Sequence, residues 1–327
     1  MAHDEVDFAE KYFVKPDEEP LCIRLQRAIY NPKTGSILGR TPYLWGRVLL
    51  FYLIFYSCLA AMFSAMMKGL LQTLEENQPK YLLQESLIGT SPGLGYRPMS
   101  TKYRPDSSLI RFMARSKNNT LSWTSELDEF FDVYKHPEKL PGNGNNVQTC
   151  SYDNPPKPGN VCAVEMTDWE PCTSEMGYGY NNSSPCIFIK LNKIFQWVPE
   201  YYDDLSNLPA KMPESLKEAI NVSVTNDPKT INSVWVSCDG EGPADKDNIG
   251  PISYIPSRGF PGYYYPYMNT PGYLSPLIAV HFEKPKPNVM INVECRAWAK
   301  NIVFQRKNQM GSCHFELMID HKKVFHY

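Results

Sequence analysis

An uninterrupted apolar run constrains this chain more than any other feature. Residues 48–67 read VLLFYLIFYSCLAAMFSAMM and contain no charged residue, proline or glycine. Twenty helical residues rise about 30 Å, which is the thickness of the hydrocarbon core of a bilayer. Arg47 and Lys68 bracket the run, and Tyr43 and Trp45 supply interfacial aromatic rings before it. The run therefore predicts a transmembrane helix over residues 48–70.

Two other interpretations of this run fit less well. A buried helix of a soluble protein rarely continues this long without a polar face. A cleaved signal peptide has a shorter apolar region close to the first residue, whereas 47 residues precede this run. We therefore expect an uncleaved signal anchor.

The charges beside the run predict its orientation. Residues 20–47 contain no acidic residue and five basic ones, namely Arg24, Arg27, Lys33, Arg40 and Arg47. Residues 68–87 mix both signs, with Lys68 and Lys80 beside Glu75, Glu76 and Glu85. Because basic residues stay on the cytosolic side, residues 1–47 are predicted to be a cytosolic tail, and the chain after about residue 70 is predicted to lie outside.

Cysteine usage agrees with this orientation. Seven of the nine cysteines follow the run, namely Cys150, Cys162, Cys172, Cys186, Cys238, Cys295 and Cys313. Disulfides persist outside the cytosol, and the absence of a C-x2-C pair or zinc-like histidine spacing argues against a metal site. The spacing does not determine the pairing, and the odd count leaves one thiol free or linked to another chain. Cys22 and Cys58, in the cytosolic and membrane segments, are not disulfide candidates.

Glycosylation signals also lie after the run. The N-x-S/T triplet occurs at Asn118, Asn181, Asn182 and Asn221. Because the triplets at Asn181 and Asn182 overlap, we expect at most one of that pair to be modified.

The remaining pattern predicts a mainly β ectodomain. Residues 71–115 include a Gly-, Pro- and Ser-rich stretch and are predicted to form an extracellular stalk, followed by a folded domain over residues 116–327. A short helix is predicted over residues 124–135, with Thr124 as its cap. Short β-rich segments follow, namely CIFIKL, SVWVS, LIAVHF, VMINVEC and FELMI. Without long helices between them, they favour an antiparallel β-sandwich.

Motifs for catalysis are scarce. The formal net charge of −2 gives no basic face for nucleic acid, and no nucleotide, hydrolase or zinc-protease motif occurs, so no cofactor is predicted. The strongest enzymatic lead is Asp245-Lys246-Asp247, which could hold a metal in a lumenal glycosyltransferase. The alternating strands and helices of such an enzyme are missing, and a solvated acidic loop is the simpler interpretation.

The predicted membrane helix carries two distinctive faces. Ser57, Ala61 and Ala65 recur at four-residue spacing, which lets another helix approach closely in lipid. Tyr52, Phe55 and Tyr56 form a second, aromatic face. A plain lipid-facing anchor needs no small face, so this pattern predicts docking of a partner helix.

Several long motifs, in order, resemble those of a known family. They are LGRTPYLWGRVLLFYLIFYSCLAAMF (38–63), PGL (92–94), PCIFIKLNKIF (185–195), FPGYYYPYMN (260–269), YLSPLIAVHF (273–282) and INVECRAWAKNI (291–302). With this topology, the chain resembles the β subunits of the sodium/potassium-transporting ATPase, in particular an invertebrate member, and more loosely the β subunit of the gastric proton/potassium pump. The loop between Cys172 and Cys186 is shorter than usual, and the family's YYPYYG-type motif reads YYYPYM here.

The resemblance implies a fold and a disulfide pattern. The fold is an immunoglobulin-like β-sandwich with elaborated loops. The disulfides, carried over by motif, are Cys150–Cys162, Cys172–Cys186 and Cys238–Cys295. Cys313 has no counterpart in that pattern and is expected to be a free, buried thiol.

The resemblance further implies a non-catalytic role. Such a subunit pairs with a catalytic, ATP-hydrolysing α subunit, supports its folding and delivery to the plasma membrane, and tunes potassium affinity. Membrane lipid and a small single-span regulatory subunit are the other implied partners. The residues expected to contact the α subunit are Tyr52, Phe55, Tyr56, Ser57, Ala61 and Ala65 in the helix and Tyr264, Tyr265, Pro266 and Tyr267 outside. A packed turn is the alternative for that tyrosine cluster, and cell adhesion through the ectodomain is the alternative function.

Overall fold

The computed structural model describes residues 20–321, apart from residues 33, 76–77, 100–106, 115 and 309. The chain divides into two compact units, of which the first ends at Glu75. Residues 1–19 of the predicted cytosolic tail lie outside the described residues.

Within the described residues, the first unit contains two helices joined by a small hairpin. Helix α1 spans Leu21–Ile29, strands β1 and β2 span Tyr30–Asn31 and Ser36–Ile37, and helix α2 spans Pro42–Leu71. The two strands pair antiparallel, with Tyr30 opposite Ile37. The turn between them contains Gly35 at a φ of 63°, a left-handed conformation that glycine adopts without strain.

Helix α2 starts earlier than the predicted bound at residue 48. Proline is favoured at the first helical position because its missing N–H needs no partner there, so Pro42 begins the helix after the extended Thr41. Among the described residues, α2 is the one helix long and apolar enough to cross a membrane, and none of its residues is buried. This confirms the predicted membrane-type helix and extends its bounds.

The second unit is built on two sheets. The five-stranded sheet has the order β10-β8-β12-β13-β4, and its strands span Gly259–Pro261, Ser233–Gly240, Met290–Trp298, Ser312–Asp320 and Leu109–Met113. The four-stranded sheet has the order β3-β7-β11-β9, with strands at Leu94–Arg97, Cys186–Leu191, Ile278–Phe282 and Ile252–Ile255. A short parallel ladder joins β5 (Val147–Gln148) to β6 (Val161–Cys162).

Both main sheets are antiparallel except at one edge. Strand β4 runs parallel to β13, with Ile110 opposite Leu317. Parallel neighbours require a long crossover, and here almost the entire ectodomain lies between the two strands.

The hydrophobic core lies between the two sheets. Val293 and Phe315 from the five-stranded sheet belong to the same buried cluster as Ile187 and Val280 from the four-stranded sheet. The ring of Phe315 lies 6.2 Å from that of Phe282 across the interface. Alternating inward residues of both sheets thus build a sandwich core, which confirms the predicted mainly β fold.

Three described helices flank the sandwich, and the first of them begins before the residue predicted from the sequence. Helix α3 spans Lys117–Lys135, α4 spans Glu214–Asn226 and α5 spans Pro243–Ile249. The prediction that Thr124 caps a helix over residues 124–135 was wrong, because Thr124 lies inside α3 and its hydroxyl donates to the Leu121 carbonyl. The buried residues Leu127 and Phe131 of α3 join the core, as their helical spacing indicates.

Two strands also lie in the segment predicted as a stalk. Strands β3 and β4 fall within residues 71–115, yet each pairs with a strand of the sandwich. The chain therefore enters the folded ectodomain by Leu94, well before residue 116.

Candidate partner-binding surfaces

Helix α2 carries a ladder of aromatic rings on one side. The rings of Tyr52 and Tyr56 are stacked at 5.9 Å, and those of Phe51 and Phe55 at 6.1 Å. Phe55 also meets Tyr56 edge-on at 5.4 Å. Four-residue spacing places each pair one turn apart, so the rings fix one another's orientation and present a stiff, exposed surface.

The small residues of α2 point away from this ladder. At 100° per residue, the centre of the small face (Ser57, Ala61 and Ala65) lies roughly 180° from the centre of the face formed by Tyr52, Phe55 and Tyr56, although Ala65 comes within roughly 40° of Phe51 at the edge of the ladder. The aromatic and small faces therefore lie on nearly opposite sides of the helix. The centres of the two faces point in different directions, so the two sets of predicted contact residues lie on different sides of α2.

The tyrosine cluster of the ectodomain is mostly packed inward. The Tyr264 hydroxyl donates to the Ala163 carbonyl at 2.8 Å. The Tyr265 ring meets Trp197 edge-on at 5.8 Å, and its hydroxyl is buried with no hydrogen-bond partner among the described residues. Burial raises the pKa of both tyrosines well above the ordinary value. These two rings therefore hold the turn in place rather than facing outward.

The outward part of the same turn follows Tyr265. Pro266 and Met268 are exposed. The Tyr267 ring contacts Tyr273 at 4.8 Å, and the Lys193 ammonium lies 5.2 Å from the centre of the Tyr267 ring. Of the four predicted contact residues in the cluster, Pro266 and Tyr267 are thus the ones a partner could reach most readily.

Three disulfides stabilise the ectodomain. They join Cys150 to Cys162, Cys172 to Cys186 and Cys238 to Cys295, which are the pairs implied by the family resemblance. Cys313 is free and buried, and Cys22 and Cys58 are free and exposed.

All four candidate glycosylation asparagines are exposed, namely Asn118, Asn181, Asn182 and Asn221. Two of their triplets are in contact, because the hydroxyl of Thr120 donates to the Asn181 side-chain oxygen at 3.0 Å. Thr120 itself is buried. The triplet that starts at Asn118 is therefore partly covered once the domain has folded.

The Asp245-Lys246-Asp247 motif has a structural role in α5. The Asp245 carboxylate accepts hydrogen bonds from the N–H groups of Gly242 at 3.0 Å and Asn292 at 2.9 Å. Burial raises the pKa of Asp245, but these hydrogen bonds outweigh it, so the pKa lies below the ordinary value. Within the described part of the chain, no group of three His, Cys, Asp or Glu side chains is placed to hold a metal.

A cluster of charged residues around the buried Glu294, on the outer face of the five-stranded sheet, was not predicted. The Glu294 side chain is 8 % exposed and accepts hydrogen bonds from Arg296 at 2.6 Å and Arg306 at 3.1 Å. Arg306 also pairs with Glu241 at 2.9 Å, and Glu241 lies 3.2 Å from His314. The strand alternation along β12 points Glu294 outward, between the inward Val293 and Cys295. This alternation is the sequence signal that could have predicted the charge cluster.

The start of α2 is hydrogen-bonded to the hairpin, a contact that no sequence pattern predicted. The Trp45 indole N–H donates to the Ile37 carbonyl at 2.8 Å, and the Arg40 guanidinium lies over the Trp45 ring. The Leu38 N–H donates to the Ile29 carbonyl at the end of α1 at 3.0 Å. Both bonds lie within the first unit and connect α1, the hairpin and α2 into one structure.

These features define a class of protein: one helix able to span a membrane, followed by a disulfide-linked β-sandwich. Comparison with known proteins agrees with that class. The family model for the sodium/potassium ATPase beta chain matches residues 15–315. The chain belongs to this family, which confirms the resemblance.

The relatives match over nearly the whole chain. The sodium/potassium-transporting ATPase subunit beta-2 of Drosophila melanogaster is 47% identical over 320 residues, covering 98% of this chain and 99% of that protein. Subunit beta-1 of the same organism is 44% identical, covering 89% and 91% of the two chains. A probable subunit beta-3 of Caenorhabditis briggsae is 31% identical, covering 90% and 86%.

Proposed function

We propose that this chain is the non-catalytic β subunit of a P-type sodium/potassium pump. Its role is to stabilise the folded catalytic α subunit, allow its delivery to the plasma membrane and modulate its potassium affinity. The observation that carries the proposal is the end-to-end match with proteins named as β subunits of this pump. A partner that binds only the folded α subunit stabilises that state by mass action.

The proposed topology is single-pass, with the N-terminus in the cytosol. The excess of basic residues before α2 and the disulfides after it both support this orientation. A glycan at Asn118, Asn181, Asn182 or Asn221 would place the ectodomain in the lumen or outside the cell. Mass spectrometry of peptides from the native protein tests this, and four unmodified sites would remove that support.

The proposed contacts with the α subunit lie on two parts of the chain. In the membrane, α2 offers two faces to partner helices, the aromatic face of Tyr52, Phe55 and Tyr56 and the small face of Ser57, Ala61 and Ala65. Because the two faces diverge, we assign the aromatic face to the α subunit and the small face to a second helix. The small single-span regulatory subunit is the proposed occupant of that second side.

Outside the membrane, Pro266 and Tyr267 are the proposed contacts with an extracellular loop of the α subunit. Tyr264 and Tyr265 would act indirectly, since their packing against Ala163 and Trp197 fixes the turn that presents Pro266. Rigid, preorganised aromatic turns lose little conformational entropy on binding.

Co-purification tests the proposal. The chain is solubilised in a mild detergent from its native membrane and captured through its ectodomain. We expect a large multi-span protein to accompany it, with ATP hydrolysis that depends on both sodium and potassium. Recovery of the chain without an ATP-hydrolysing partner would refute the subunit function. Aggregation of cells that express only this chain would then support the adhesion alternative.

A further inference from the structure

The first unit exposes several large apolar side chains outside helix α2. In α1 the side chains of Leu25 and Ile29 are 62% and 59% exposed. The hairpin adds Tyr30 at 53% and Leu38 at 62% exposed. Contiguous large apolar side chains in water usually mark an interaction surface.

The apolar residues of α1 form one face of the helix. At 100° per residue, Cys22, Leu25, Ala28 and Ile29 fall within an arc of roughly 120°. Gln26 and Arg27 lie outside this arc. Ile23 is the one apolar side chain among the described positions of α1 that breaks the pattern. This separation is the arrangement of a helix that lies in an interface rather than crossing it.

The hairpin holds this face close to the start of the membrane helix. The Leu38 N–H donates to the Ile29 carbonyl, so the end of α1 is bonded to the hairpin. Trp45 lies in the first turn of α2, and its indole N–H donates to the carbonyl of Ile37 in the hairpin. Trp45 and Tyr43 belong to the aromatic residues that prefer the headgroup level of a bilayer. The bonded hairpin therefore keeps α1 within reach of that level.

The charge of this segment identifies the occupant. Residues 20–47 contain five basic and no acidic residues, whereas the preceding acidic segment ends at Glu19. Basic residues beside a membrane helix are attracted to anionic lipid headgroups. An apolar helix face within a segment of net positive charge fits such a surface, because the apolar side chains enter the acyl boundary while the basic residues of the segment are attracted to the phosphates.

We propose that α1 and the β1–β2 hairpin bind the anionic leaflet next to the start of α2, with Leu25, Ile29, Tyr30 and Leu38 inserted among the lipids. This inference rests on the proposed function only in so far as α2 spans the membrane. The surface acts as a second membrane anchor and orients the aromatic face of α2 relative to the bilayer normal.

Fluorescence at Cys22 tests the proposal on the full-length chain. Cys22 lies on the apolar face and Cys58 is replaced by serine, which leaves Cys22 as the exposed thiol of the described residues. An environment-sensitive fluorophore is attached to it, and the chain is reconstituted in phosphatidylcholine vesicles with or without phosphatidylserine. With phosphatidylserine we expect blue-shifted emission, quenching by brominated lipids and little quenching by aqueous iodide.

Two matched variants separate insertion from charge. Ile29→Glu and Gln26→Glu add the same charge, one on the apolar face and one outside it. We expect quenching by brominated lipids to fall several-fold in Ile29→Glu and to persist in Gln26→Glu. Leu25→Glu repeats the test at a position whose backbone does not bond the hairpin, so that a local loss of hairpin structure cannot explain the result.

Three outcomes would overturn the proposal. The first is equal iodide quenching with and without phosphatidylserine, and the second is equal behaviour of Ile29→Glu and Gln26→Glu. The third is protection of Cys22 only when an ATP-hydrolysing partner is present, which would make a protein the occupant. Co-purification of the same variants keeps the two proposals apart, because lipid insertion without any pump partner would refute the proposed function alone.

Discussion

Cys313 lies directly opposite Cys295 on the neighbouring strand, and Cys295 is itself bonded to Cys238 on its other side. Residues directly opposite in antiparallel strands point to the same face of the sheet. Three cysteines therefore form a row across β8, β12 and β13 on the core side, although only two of them share a bond.

This row predicts a substitute disulfide. In Cys238→Ser, Cys295 loses its partner and has Cys313 as its cross-strand neighbour, close to the separation that a disulfide requires. We expect non-reducing peptide mapping of the secreted ectodomain or full chain to find a Cys295–Cys313 bond. Cys150→Ser is the control, because no third cysteine lies opposite Cys162. Free thiols at both Cys295 and Cys313 would contradict the prediction.

The free thiol also predicts a loss of stability in alkaline solution. Burial raises the pKa of Cys313 to about 12 from its ordinary value of 9.0. The folded state therefore keeps a proton that the unfolded state releases, and its contribution to stability is full below pH 9 and is lost as the pH rises towards 12. Cys313→Ala removes this group.

Denaturant unfolding at about pH 8 and about pH 10 measures this effect. We expect the wild-type chain to lose more stability than Cys313→Ala between the two pH values, by about 1 kcal/mol. The tyrosines titrate alike in both proteins and cancel in the comparison. Equal losses would show that the Cys313 thiol is not held in its protonated form.

The buried carboxylate of Glu294 predicts the opposite pH dependence. Burial raises its pKa, but hydrogen bonds from Arg306 and Arg296 outweigh burial and hold the pKa below the ordinary value. The carboxylate therefore contributes stability above the pKa of the unfolded chain, and that contribution is lost as the pH falls through the folded value.

Glu294→Gln tests that contribution. Removing the charge takes away the anion of Arg296 and one of the two anions of Arg306, and we expect a loss of about 1–3 kcal/mol at neutral pH that shrinks in acid. Glu218→Gln, at an exposed position of α4, is the control and should change stability by less than about 0.5 kcal/mol. Equal stability of Glu294→Gln and Glu218→Gln would mean that burial cancels the gain from the ion pairs.

Two neighbouring tyrosines predict contrasting effects. Tyr264→Phe removes the hydrogen bond to the Ala163 carbonyl and should cost about 1 kcal/mol in the free energy of unfolding. Tyr265→Phe removes a buried hydroxyl that has no hydrogen-bond partner among the described residues, so stability should stay the same or rise. Thermal unfolding of both variants measures the difference. A larger loss of stability in Tyr265→Phe than in Tyr264→Phe would show that the Tyr265 hydroxyl has a hydrogen-bond partner.

The opposite faces of α2 predict separable binding defects. Replacing Tyr52 and Tyr56 with leucine keeps the helix apolar but removes the stacked rings, so co-purification of the ATP-hydrolysing partner should fall several-fold while membrane insertion is unchanged. Replacing Ala61 and Ala65 with leucine fills the small face instead. That variant should keep the ATP-hydrolysing partner and lose the second helix. Loss of the same partner in both variants would contradict two separate docking sides.

The sequence predicted the elements whose patterns are local. The membrane helix and the five β-rich segments all occur, because unbroken apolar runs and β-branched alternation act over a few residues. Strands β3 and β4 were missed because their partners are remote, Leu94 pairing with Leu191 and Ile110 with Leu317. About two turns at the start of α3, residues 117–123, were missed because Lys117-Asn118-Asn119 carries no apolar periodicity.

Predictions for the candidate partner-binding surfaces likewise depended on whether the contacts were local or remote in sequence. The spacing of Tyr52, Tyr56, Ala61 and Ala65 was enough to locate both helix faces, since a helix converts spacing into direction. The inward packing of Tyr265 could not be predicted, because it depends on Trp197, which a separate segment brings into contact.

The parallel pairing of β4 with β13 determines when β4 can join the sheet during synthesis of this protein. Ile110 leaves the ribosome early, yet its partner Leu317 lies near the end of the chain. At ordinary translation rates this strand waits on the order of 10–40 s for its neighbour. The unpaired backbone of β4 is available to chaperones throughout that interval. A chain truncated before β13 would leave this edge of β4 unpaired permanently.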